Sequence, residues 1–138
     1  MGSWGLGTFE DDIACDWLED LQESDPIAFF EQCLDLSDHQ YVEFLACVGV
    51  VCTAEMIHSL ISEPRTSLPE AAHQWLGEHQ RLNILPFIPD AIAGLRRVMG
   101  PDSEMHELWE DNDAMHDDWM IQMLDLLKRL ESALASNR

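Results

Sequence analysis

The stretch SDHQYVEFLACVGVVCTAEMIHSLISEP, residues 37–64, decides the fold. From Tyr41 to Ala54 its only charge is Glu43, and Phe44 through Cys52 is nine apolar residues in a row, Gly49 included. A helix here is greasy on every side and has to be surrounded by protein. Nine falls well short of the roughly 18 consecutive apolar residues of a membrane span. Periodicity alone leaves a buried strand open for Val48-Gly-Val-Val51. The ends favour helix: Ser37 with Gln40 spells a capping box, and Pro64 stops the run. The expectation is a central helix over about 38–62, wrapped by shorter amphipathic pieces.

Those pieces follow in order. Gly2, Gly5 and Gly7 with Trp4 and Leu6 describe an extended N-terminal arm over 1–9, too rich in glycine for helix. A helix over about 10–23 puts Ile13, Ala14, Trp17, Leu18 and Leu21 on one face. Asp25-Pro26 is an N-cap followed by proline at N1, opening a second helix to about Leu36 with Ile27, Phe30 and Leu34 inward. Beyond Pro69 a short helix carries Ala72, Trp75 and Leu76. Pro86 and Pro89 close a connection over 79–89 and admit a helix from there to Gly100-Pro101. Ser103 caps a short turn through Met105, Leu108 and Trp109. The last helix, about 113–135, sets Trp119, Met120, Met123, Leu124, Leu127, Leu130 and Leu134 on a wide face. The reading is all-α: one domain over 1–138, a bundle of six to seven helices around a buried central one.

Charge narrows the partners. The chain of 138 residues has 27 Asp and Glu against 7 Lys and Arg, a net charge of −20. A small soluble domain needs only about 2–8 units for solubility. Residues 1–64 hold 14 acids and no Lys or Arg; 102–118 add eight more with no base. Such a surface repels phosphate, so nucleic acid and anionic membrane are poor partners, and a basic protein is a better one. Cys15, Cys33, Cys47 and Cys52 have no CxxC spacing and read as buried free thiols in a reducing cytoplasm. No secretory signal opens the chain.

The opening carries a resemblance. Met1-Gly2, Trp4-Gly5, Gly7, Phe9, Asp12, Ala14, Asp16-Trp17 and Asp20-Leu21 resemble the signature of a bacterial family known as domain of unknown function 4259. Ala54-Glu55-Met56-Ile57, Ser103-Glu104 and Glu107-Leu108-Trp109 continue the likeness. One departure is Glu10-Asp11, where the family pattern has an acid followed by Asn. The resemblance implies a small, acidic, stand-alone protein with no assigned activity, and it brings no catalytic residues with it.

Motifs that could carry chemistry are few. Glu55 and His58 have the Glu-x-x-His spacing of di-iron bundles, which need a second such pair, absent here. Their plain reading is a polar pair at the wetter end of the rod. His106 and His116 could join a metal site with them, but in an acidic surface they read first as solvated. The acids between Asp111 and Asp118 fail the EF-hand pattern, and Gly5-x-Gly7 is followed by carboxylates that would repel a phosphate. No Gly-x-Ser-x-Gly elbow exists. Nothing calls for a cofactor or for catalysis.

Asp12, Asp16 and Asp20 lie at i, i+4 and i+8 beside the apolar stripe that holds Trp17. Mid-helix Asp is a poor helix former and wants a nearby donor, with the arm and Trp4 the nearest. Function reads as an acidic binding module, inhibitor- or immunity-like, covering a basic partner. The alternatives are a carboxylate–histidine metalloprotein on Glu55, His58, His106 or His116, and a homodimer through 113–135.

Overall fold

The helix that organises the chain, α3 (Phe44–Ile61), is buried without a break from Cys47 to Ser59. In the computed structural model, which describes residues 12–62, 68–111 and 113–136, it touches each of the other six α-helices. These are α1 (Asp12–Gln22), α2 (Pro26–Leu34), α4 (Glu70–Glu78), α5 (Ile88–Val98), α6 (Glu104–Glu110) and α7 (Asp113–Ser136). A 3-10 turn over Leu85–Phe87 leads into α5. The described residues form an all-α bundle, with one isolated bridge, Val42 to Ser103, in place of any strand. Side chains are described from Ile13 onward and, within α7, from Asp117. The expected arm over 1–9, with Trp4, lies outside the described residues, as do the side chains of Asp12 and His116.

α3 is long and apolar enough to cross a membrane, with a mean hydropathy of 1.9, yet 72% of it is buried by the rest of the chain. Counting nine consecutive apolar residues understated it, because Thr53, Glu55, His58 and Ser59 are enclosed as well. Its start also differs from expectation. The helix begins at Phe44, not near residue 38, and the Ser37–Gln40 capping box does not form. Ser37 donates both its N–H (3.1 Å) and its hydroxyl (2.7 Å) to the Asp35 carboxylate instead. The connection 35–43 is then held from outside. Arg97 on α5 donates to the carbonyls of Leu36 (3.1 Å) and His39 (2.5 Å), and Val42 pairs with the chain at 102–104. The carbonyls of Leu36 and His39 and both backbone groups of Val42 serve tertiary bonds here.

Other signals hold. Asp25 caps α2 by accepting from Ala28 N at 3.1 Å, with Pro26 in the first turn. Ser103 caps α6 by accepting from His106 N at 3.2 Å. Phe30 anchors the α2–α4–α5 side of the core, edge-on to Trp75 and Phe87. α5 buries Ile88, Ala91, Ile92, Leu95 and Val98, and Gly94 lets it approach Val50 of α3.

The last helices are rotated relative to expectation. α7 buries Trp119, Met123, Leu126, Leu127 and Leu130, while Leu124 faces outward. Leu108 on α6 is exposed too, and Ile13 on α1 stands at the edge of its apolar face. A face drawn too wide from sequence takes in Leu124 and misses Leu126, two residues along and on the opposite side.

Candidate functional site

The first three helices frame a groove. Trp17 and Asp20 come from α1, Phe29, Gln32 and Cys33 from α2, Asp35, Leu36 and His39 from the connection, and Leu45, Ala46 and Gly49 from α3. The spacing explains the α1 contribution: Ala14, Trp17, Leu18 and Leu21 point into the core, so Asp16 and Asp20 flank them on the solvent side. The Trp17 and Phe29 rings form the wall, 5.4 Å apart and tilted. Trp17 donates its indole N–H to the Cys33 sulfur at 3.4 Å. Asp16 and Asp20 are solvent-exposed, and Asp20 stands on the rim.

The electrostatics favour a cation. Asp35 and Asp20 both line the groove, and the Asp35 pKa is lowered by the hydroxyl and N–H of Ser37, which keeps it ionised. Burial pushes the Cys33 thiol pKa up, outweighing the hydrogen bond from Trp17, and so favours the protonated thiol. Leu45 is 69% exposed at the mouth. The volume, about 240 Å³, is below the roughly 300 Å³ at which cofactor and drug sites begin. It suits one long side chain.

The metal candidates are dispersed. Glu55 and His58 are 1% and 4% exposed, which corrects their placement at a wet end, and the last turns of α7 run alongside His58. His106 sits partly buried on α6, 3.7 Å from the Glu110 carboxylate and against the Trp119 ring. Among the described residues no three His, Cys, Asp or Glu side chains come together as a metal site. The cysteines are free thiols, and Cys15 is exposed rather than buried.

Of the residues singled out from sequence, Trp17 and Asp20 line this groove, and Phe29, Asp35 and Leu45, which also line it, were not singled out. Phe29 neighbours the core residue Phe30, and an aromatic pair straddling a helix face was the available signal.

The chain was also compared with known proteins. The family model described as domain of unknown function (DUF4259) matches residues 2–122. The chain belongs to the DUF4259 family. No curated protein and no solved structure matches it. The DUF4259 match runs from before α1 into α7, so all three groove-forming helices lie within it.

Proposed function

We propose that the protein is an acidic binding module that covers a basic surface of another protein, with the groove between α1, α2 and α3 receiving one Lys or Arg side chain. The observation that carries this reading is the pairing of an apolar wall, Trp17 and Phe29, with carboxylates, Asp20 and Asp35, at one groove. A lysine or arginine has the matching build: an apolar stem that packs on rings and a charged head that seeks carboxylates. The net charge of −20 steers such a partner in at long range. Four free thiols suit a reducing cytoplasm as the place of action.

The test is an NMR titration with hexa-arginine, hexa-lysine and hexa-glutamate peptides. The basic peptides are expected to move the Trp17 indole, the Gln32 side-chain amide and the Gly49 amide, with affinity falling steeply as salt is raised. Asp20→Asn weakens the effect, and hexa-glutamate gives none. Shifts spread evenly over every acidic helix, or unchanged in Asp20→Asn, overturn the groove. Sedimentation at the same concentrations reads out the competing homodimer, for which Ile121 (63%) and Leu124 (47%) offer an exposed apolar strip on α7.

A further inference from the structure

A second cleft, of opposite character, opens where α3 and α7 end side by side. Its lining is His58, Ile61 and Ser62 from α3, facing Lys128, Arg129, Ser132, Ala133 and Ser136 from α7. The pattern is built by helix geometry. Lys128, Ser132 and Ser136 are spaced i, i+4 and i+8 and rise in line on one face of α7. His58 and Ser62 are likewise one turn apart on α3.

Three properties set this cleft apart. In a chain with 27 acids and 7 Lys and Arg, the described lining carries two cations and no carboxylate. Its volume, about 700 Å³, lies within the roughly 300–1,000 Å³ of small-molecule sites. Its donors are also unspent: among the described residues the Lys128 ammonium makes no ion pair, and the hydroxyls of Ser62, Ser132 and Ser136 make no hydrogen bond. Arg129 holds Asp125 through its Nε at 2.9 Å, which leaves the two Nη groups to point elsewhere. The ending helices work against an anion, since each C-terminus carries roughly half a negative charge. The unpaired Lys128 charge offsets these two halves, the Nη groups of Arg129 add donors beyond its pair with Asp125, and the hydroxyls add neutral donors that a metal cation could use only as weak ligands.

We infer that the cleft between the last turns of α3 and α7 is a binding site for a small anion bearing a carboxylate or a phosphate. Lys128 and the Nη groups of Arg129 supply the charge. Ser62, Ser132 and Ser136 supply hydrogen bonds, and His58, 4% exposed, forms the floor. The site lies on different helices from the α1–α2 rim of the acidic groove, so it stands whether or not a basic partner binds there.

The experiment is an NMR titration at constant ionic strength, using inorganic phosphate in one arm, succinate in a second and sodium chloride as the control. Saturable shifts at the amides of Ser62, Ser132 and Ser136 are expected, and the arm that saturates lower identifies the headgroup. Lys128→Gln is expected to weaken binding about tenfold, as losing one charged hydrogen-bond donor does. Lys128→Arg restores it. Lys128 is exposed, so both variants keep the parent's melting temperature. Shifts that merely follow ionic strength, that persist undiminished in Lys128→Gln, or that magnesium chloride reproduces at saturation would overturn the site.

Discussion

The backbone N–H of Phe44, the first residue of α3, donates to the Glu104 carboxylate at 2.8 Å, a bond that spans 60 residues of sequence. Glu104 is itself the first residue of α6. One carboxylate thus stands at the positive ends of two helices, and the central helix has no side-chain cap of its own. The same corner carries the bridge Val42 N to Asp102 O (2.8 Å) and Glu104 N to Val42 O (2.9 Å). Removing the carboxylate strips the cap from the rod on which every other helix packs. Glu104→Ala is expected to cost about 1–2 kcal/mol, the upper range for loss of an N-cap acceptor. Glu104→Gln keeps an acceptor oxygen but loses the charge, and should cost less. Urea unfolding of both variants decides this; equal losses would mean that charge, and not the bond, is what matters.

That long-range cap also explains what the sequence could and could not disclose. Local signals were sufficient where the partner lies within one turn. Asp25 caps α2 through Ala28, and Ser103 caps α6 through His106, as their spacing suggested. The Ser37–Gln40 box satisfied the same rule, yet Asp35 and Arg97 claimed that segment, and Arg97 lies 61 residues from its acceptor Leu36. The core helix was legible because no other environment suits Phe44 to Cys52. The burial of Glu55 and His58 was not, because it depends on which helix runs alongside their turn. The groove was half legible for a similar reason: Trp17 and Asp20 share one helix, whereas Asp35 and Leu45 join them only through packing.

Tyr41 donates its hydroxyl to Glu107 at 2.8 Å, close to the same corner. That hydrogen bond to a carboxylate, with some burial, pushes the tyrosine pKa up to about 12. The protonated phenol is favoured in the folded state, so the sign follows directly. Stability from this contact is complete below about pH 10, the unfolded value, and is lost as pH rises through about 12. The chain has a single tyrosine, so tyrosinate absorbance reports this residue alone. A folded-state midpoint well above 10 is expected, returning toward about 10 in Glu107→Gln and in denaturant. A midpoint that does not respond to Glu107→Gln would remove the hydrogen bond as its cause.

Two helical glycines give opposite expectations for one substitution. Gly77 lies on the exposed side of α4, and a Cβ built there meets nothing within 4 Å. Alanine at that position relieves the entropic cost of a helical glycine, so Gly77→Ala is expected to stabilise by about 0.5–1 kcal/mol. Gly94 lies on the buried side of α5, and its Cβ would come 2.9 Å from Val50 Cγ1. Val50 is fully buried, and its branched side chain is held near one rotamer in a helix, so it has little room to yield. Overpacking of this kind costs about 1–3 kcal/mol, which exceeds the propensity gain of about 1. The net expectation for Gly94→Ala is a loss, visible as a fall in Tm of roughly 4 °C per kcal/mol at this chain length. Calorimetry on the two variants beside the parent should therefore split them to either side. A Gly94→Ala protein melting at or above the parent would mean that α5 can back away from α3 without cost, and that the contact through Gly94 does not set the spacing of the core.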